Sequence, residues 1–254
     1  MNPFDLSGKL ALVTGATRGI GLGVARAMAE AGAGIILVGR DQGYLERSAG
    51  ELRQVTDSVH TACFDLLETG KISPWFEQLC AKIRSPDILV NSAGINRRGE
   101  AINLTLDDWN EVIAINTTAV FEISRSFARA RIAEGKGGRI INIASLMTAA
   151  ARSGISPYIA SKGAIGQLTK AFAVEWAKHG ILVNAIAPGY IDTDLNKSLI
   201  ADPAFDQWVK GRCPLGRWGT PADIAGPAVF LASSAADFVT GQVIYVDGGW
   251  LATF

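Results

Sequence analysis

The stretch Leu10-Ala11-Leu12-Val13-Thr14-Gly15-Ala16-Thr17-Arg18-Gly19-Ile20-Gly21 decides how the rest of the chain is read. An apolar run, Leu10–Thr14, enters a turn with three glycines and leaves it as an amphipathic segment over 20–31. This pattern predicts a strand covered on both faces, a tight turn and a helix. Glycines let the backbone turn sharply and let a diphosphate approach the helix N-terminus, where free N–H groups and the helix dipole favour negative charge. The spacing is Gly-x-x-x-Gly-x-Gly, not the Gly-x-Gly-x-x-Gly of the standard dinucleotide fingerprint. The same glycines would also serve helix–strand packing. Their place after the first strand favours a nucleotide, held by Gly15, Thr17, Arg18, Gly19, Ile20 and Gly21.

Outward from this turn, short aliphatic runs alternate with longer amphipathic ones. Strands are expected over 34–38, 59–64, 87–91, 139–144, 182–187 and 243–246. Helices are expected over 44–55, 74–83, 106–133, 157–179 and 221–233. Repeated βα units imply a Rossmann-type, doubly wound parallel sheet with helices on both faces. Neither a linker nor an internal repeat interrupts the pattern, so one α/β domain over 1–254 is expected. A polar, proline-containing segment of about 190–215 is read as a substrate lid or a packed helix pair, with Trp208 as an apolar wall.

The 254 residues are 48% hydrophobic and carry no net formal charge. No basic run offers a nucleic-acid or membrane-surface partner a landing site. Cys63, Cys80 and Cys213 form neither a metal pattern nor a disulfide framework, which suits a reducing compartment, and all three are read as structural. His60 and His179 join no ligand cluster, so no metal site is expected. Met1–Lys9 lacks a basic segment followed by an apolar run, and no stretch reaches the roughly 18 apolar residues of a membrane span. A cytoplasmic protein is the expectation.

The second strand ends at Val38-Gly39-Arg40-Asp41. A carboxylate at such a strand end binds the ribose 2′-hydroxyl of NAD. Here Gly39 stands at that position, with Arg40 next and Arg18 in the glycine turn. Two guanidinium forks suit a 2′-phosphate, so NADP is expected over NAD, although Asp41 could instead pair with Arg40.

Ser156-Pro157-Tyr158-Ile159-Ala160-Ser161-Lys162 opens a long helix, with Ser156 placed to cap it and Pro157 suited to its first turn. Tyr158 and Lys162 are four apart and share a face. An ammonium beside a phenol stabilises the phenolate, which would lower the Tyr158 pKa and make it an acid or base near neutral pH. Ser145 and Asn91-Ser92-Ala93-Gly94 end other strands on the carboxyl edge, where open α/β sheets bind ligands.

Thr14-Gly15-x-x-x-Gly19-x-Gly21, Asn91-Ser92-Ala93-Gly94, Asn116, Ser145, Tyr158-x-x-x-Lys162 and Pro188-Gly189 together resemble the short-chain dehydrogenase/reductase family along the whole chain. Ser92 is a departure, since the family commonly has a second Asn there. The resemblance implies an enzyme in which Tyr158 exchanges the proton and Ser145 binds the substrate oxygen. Lys162 would hold the nicotinamide ribose, and Asn116 would seat a relay water. Asp65 would contact the adenine. Asn91, Ala93 and Gly94 would line the adenosine side. Pro188, Gly189, Ile191 and Thr193 would cradle the nicotinamide. It also implies a homotetramer, for which the apolar tail Trp250–Phe254 would supply buried surface between subunits.

Gly94-Ile95-Asn96-Arg97-Arg98, Ala187-Pro188-Gly189-Tyr190, Gly216-Arg217-Trp218-Gly219 and Val246-Asp247-Gly248-Gly249-Trp250-Leu251 resemble, more narrowly, sugar-acid dehydrogenases of the gluconate 5-dehydrogenase and 2-deoxy-gluconate 3-dehydrogenase kind. A polyol or keto acid substrate follows, its carboxylate clamped by Arg97, Arg98 or Arg152. Two other readings are a 3-oxoacyl thioester reductase of the same family and a non-catalytic NADP-binding sensor. The arginines argue against the first, and a complete Ser145, Tyr158 and Lys162 set against the second.

Overall fold

A computed structural model describes residues 2–253. Seven parallel strands form one sheet in the order β3-β2-β1-β4-β5-β6-β7. They are β1 (Leu10–Thr14), β2 (Gly34–Gly39), β3 (Val59–Cys63), β4 (Ile88–Asn91), β5 (Gly138–Ile143), β6 (Ile181–Pro188) and β7 (Val243–Val246). The helices are α1 (Gly19–Glu30), α2 (Gln42–Leu52), α3 (Ile72–Lys82), α4 (Leu106–Ile113), α5 (Ala119–Ala133), α6 (Ser156–Trp176), α7 (Lys197–Ile200), α8 (Pro203–Arg212) and α9 (Pro221–Ala232).

The period of two along the central strands explains the layers. Ala11 and Val13 of β1, with Ile35 and Leu37 of β2, face a core built on α1, α2 and α9. Leu10, Leu12, Ile36 and Val38 face the opposite core, built on α3, α5 and α6. Strand order reverses between β1 and β4, and that switch point opens the crevice where the carboxyl-edge loops meet.

Element boundaries differ from the expected ones for local reasons. The Asp41 side chain accepts from the Tyr44 N–H at 2.9 Å, so α2 starts at Gln42 and Asp41 caps it rather than pairing with Arg40. The chain turns out of α2 after Leu52, leaving Val55 in a turn. Ser156 is the first residue of α6, with Ile155 before it, and its side chain makes no capping bond. The expected long helix over 106–133 is helical throughout but contains a π-helical turn at Ala114–Thr118. The segment after β6 holds two helices, α7 and α8.

Cys63 is exposed at the end of β3, contrary to a purely buried structural role. Cys80 is half-buried, its thiol pushed up to about 11 by burial, with Glu134 and Glu77 adding to the shift. Trp250 is buried against its own chain, 4.7 Å from the Tyr190 ring and 5.1 Å from that of Trp208. It therefore needs no partner subunit to leave water. Phe254 lies outside the described residues. Among the described residues, no helix is long and apolar enough to cross a membrane.

Candidate active site

A cleft of about 550 Å³ runs along the carboxyl edge of the sheet. Its floor is the glycine turn. Gly15 has φ +62°, and a Cβ there would stand 2.8 Å from Ala93 Cα, while a Cβ on Gly21 would stand 2.4 Å from the Gly15 carbonyl oxygen. At these two positions the backbone packs too closely for a side chain, which draws the turn against the Ala93 loop and the start of α1. No side chain caps that helix, so its first N–H groups remain available to an anion. Thr14 fixes the neighbouring wall: its Oγ1 accepts from the Ser92 N–H at 3.0 Å and the Ala93 N–H at 3.1 Å.

The cleft collects Gly15, Thr17, Arg18, Gly19, Ile20, Gly21, Arg40, Asp65, Ala93, Gly94, Ser145, Tyr158, Lys162, Pro188, Gly189, Ile191 and Thr193. Asn91 is not among them. Its amide is buried beneath the cleft and donates to Ser124 Oγ at 3.0 Å and Asn142 Oδ1 at 2.8 Å. It braces β4 against β5, and Ser92 lines the cleft instead. Arg18 reaches across to Asp194 at 3.5 Å, in the segment after β6.

Tyr158 and Lys162 stand one turn apart in α6, facing the end of β5. Lys162 is buried, and its Nζ donates to the Ile143 carbonyl at 2.6 Å and lies 5.6 Å from the Tyr158 ring centroid. Burial holds its ammonium down at about 8. Burial also raises the Tyr158 phenol above its ordinary value, opposed by the Ser145 hydroxyl and the Arg98 charge. The shift of Tyr158 is therefore opposite to the expected lowering, and Lys162 is itself driven toward the neutral amine.

Asn116 sits in the π-helical turn. Its amide donates to the Ile95 carbonyl at 2.9 Å and Ser161 Oγ at 3.0 Å, and its Oδ1 accepts from the Ile95 N–H at 2.9 Å. One amide hydrogen holds the Gly94–Ile95 loop and the other ties Asn116 to Ser161 of α6, while Oδ1 keeps a second lone pair.

The three candidate arginines separate. Arg97 turns away to Glu111 and Asp108. Arg98 donates to Ser198 Oγ and to the Leu195 carbonyl, both at 3.1 Å. Burial, then the Arg152 charge, holds its guanidinium below the ordinary range. Arg152 lies over the Phe205 ring, 5.1 Å from its centroid. The ion pairs among the described residues include neither Arg98 nor Arg152.

Sequence reasoning missed Tyr190. Its ring packs against Phe205, Trp208, Trp218 and Trp250, making it the centre of an aromatic wall beside the two arginines. Its partners Phe205, Trp208, Trp218 and Trp250 are spread too widely along the chain for any local spacing to show them as one wall. A larger groove, about 860 Å³, lies at the free edge of β3 and includes His60, but it gathers none of these groups. No cluster of three or more His, Cys, Asp or Glu is placed to hold a metal among the described residues.

The family model described as enoyl-(acyl carrier protein) reductase matches residues 15–251. Gluconate 5-dehydrogenase of Gluconobacter oxydans is 41% identical over 246 residues, 97% of this chain and 96% of that protein. 5-Keto-D-gluconate 5-reductase of Escherichia coli is 42% identical over 248 residues, 98% of this chain and 97% of that protein. A gluconate 5-dehydrogenase from Burkholderia cenocepacia, crystallised in complex with NADP and tartrate, superposes with a TM-score of 0.96 at 42% identity, covering 100% of this chain and 99% of that one.

Proposed function

The chain belongs to the short-chain dehydrogenase/reductase family, and from that premise we propose that it is an NADP-dependent enzyme interconverting a secondary hydroxyl and a ketone on a sugar acid such as gluconate and 5-ketogluconate. Bound NADP(H) supplies or accepts the hydride. The glycine turn lines the cleft beside the uncapped N-terminus of α1, which suits the diphosphate, and Arg40, with no carboxylate at Gly39, lines the same cleft for the adenosine end.

Tyr158 exchanges a proton with the substrate oxygen, acting as acid in reduction and as base in oxidation. Burial disfavours its phenolate, so the resting form is the protonated phenol that reduction consumes. The Ser145 hydroxyl steadies the same oxygen as charge develops. Lys162 orients the nicotinamide ribose, and Asn116 keeps the Gly94–Ile95 loop in place. The 190–215 segment serves as a lid.

One observation carries the sugar-acid reading: two arginines without acidic partners stand together, Arg98 near Tyr158 and Arg152 next to Arg98 and Tyr190. A substrate carboxylate is the anion that such a pair lacks, and holding it selects which carbon meets the nicotinamide. A thioester offers no such charge. A panel of aldonates and keto-aldonates, assayed by nicotinamide absorbance with NADP and with NAD, tests the assignment. Turnover restricted to uncharged alcohols or thioesters would overturn it.

We further propose a homotetramer in the cytoplasm. The free cysteines support the location and the exposed apolar side chains of α4, α5 and α6 the assembly.

A further inference from the structure

Arg98 and Arg152 come to one place because the Gly99 N–H donates to the Gly154 carbonyl at 3.0 Å, joining the loop after β4 to the loop before α6. Their hydrogen-bond inventories differ. Two of the five Arg98 donors are spent on Ser198 and Leu195. Leu195 itself lines the cofactor cleft, so Arg98 is a strut between the loop after β4 and the segment over the cofactor. Arg152 Nε is buried with no hydrogen-bond partner. The Phe205 ring beneath it offers cation–π attraction but no acceptor for that N–H. A buried donor left unpaired is costly, and native structures rarely keep one without a reason.

A carboxylate would remove that cost. Its two oxygens match Nε–H and one Nη–H of a guanidinium as parallel bonds. The aromatic wall behind Arg152, with Tyr190 5.8 Å from Phe205, fixes where the guanidinium can lie. We propose that Arg152 holds the substrate carboxylate, and that Arg98 is a positioning residue that keeps the lid over the cofactor. This assignment rests on the sugar-acid reading above.

The test uses the full-length enzyme with NADP(H) and four variants, Arg152→Met, Arg152→Lys, Arg98→Met and Ser198→Ala. Arg152→Met is expected to raise KM for an accepted aldonate at least about tenfold while sparing NADPH affinity measured by fluorescence titration. Arg152→Lys is expected to recover part of the loss, because it restores charge without the fork. Arg98→Met and, more weakly, Ser198→Ala are expected to reduce NADPH affinity and kcat with aldonate KM changed less than about threefold. In the Arg152 variants the retained NADPH affinity also reports folding, and in the Arg98 and Ser198 variants an unchanged Tm does so, which separates lost recognition from a collapsed variant. If Arg98→Met takes the KM loss and Arg152→Met behaves as wild type, the assignment is overturned and the sugar-acid reading stands. If the wild-type enzyme turns over no carboxylate substrate, the function itself fails and the assignment falls with it.

Discussion

Lys162 is buried and Tyr158 partly so, the protein disfavours the charged form of each, and each makes a distinct prediction. Tyr158→Phe deletes one hydroxyl and leaves the ring. It is expected to keep NADPH affinity and to cut turnover by about 10²-fold or more, the usual scale of lost acid–base catalysis; steady-state rates near wild type would refute the role. Lys162 is held down at about 8 from an ordinary 10.5. Below pH 8 the folded state carries a buried ammonium. Between about 8 and 10.5 the unfolded chain retains a proton that the folded one has lost, so the contribution of Lys162 to stability rises with pH across that window. Lys162→Met is therefore expected to inactivate the enzyme yet raise Tm at pH 7, with the gain shrinking toward pH 10. Thermal melts from pH 7 to 10 check this, and a Tm lower than wild type at pH 7 would contradict it. Arg40→Ala is expected to weaken NADP by about 1–3 kcal/mol and leave NAD almost unchanged, since only the 2′-phosphate uses that charge; equal losses in paired titrations would count against it.

At the scale of elements, the glycine turn shows which small residues the site needs. Gly21→Ala drives a Cβ to 2.4 Å from backbone oxygen, a contact that only a shift of the turn relieves. It is expected to lower Tm and to weaken NADPH at least tenfold, with overpacking costing about 1–3 kcal/mol. Gly50, inside α2, has nothing within 4 Å of its would-be Cβ, so Gly50→Ala should instead raise stability by about 0.5–1 kcal/mol. Calorimetry of the pair decides whether the turn or general glycine content matters. The alternation of strands and helices was legible because buried parallel strands and amphipathic helices have different periods, 2 and 3.6. The π-helical turn at Ala114–Thr118 was not legible, because one wide turn barely disturbs the apolar pattern of a long helix. Helices α7 and α8 were legible only as a packed helix pair offered beside the lid for 190–215, without bounds, because they are short and broken by Asp202-Pro203. Within the site, Tyr158, Ser145 and the glycines were readable from motif and strand end. The separation of Arg97 from Arg98 was not, because neighbouring side chains diverge according to partners, here Glu111 and Ser198, that lie far along the chain.

The whole molecule exposes apolar side chains on two separate regions. Helices α4, α5 and α6 present Leu106, Trp109, Phe121 and Val174, the last 83% exposed, and they lie to one side of the strand order. The edge strand β7 and the loop before it present Tyr245 and a fully exposed Phe238. Single exposed apolar residues need no explanation, but clustered ones mark contact surfaces, and an unpaired edge strand offers its own backbone groups to a neighbour. Two distinct self-complementary patches generate two twofold axes and so a closed tetramer, whereas one patch would stop at a dimer. Sedimentation velocity at micromolar concentration is expected to show a tetramer. Val174→Glu and Phe238→Glu place a charge in each patch separately, and each alone is expected to yield dimers, with the double variant monomeric. Neither residue reaches the cleft, so NADPH affinity should persist in all three, separating a lost interface from a lost fold. A wild-type monomer, or tetramers that survive both charges, would remove the assembly from the account and leave the cleft within one chain as the complete site.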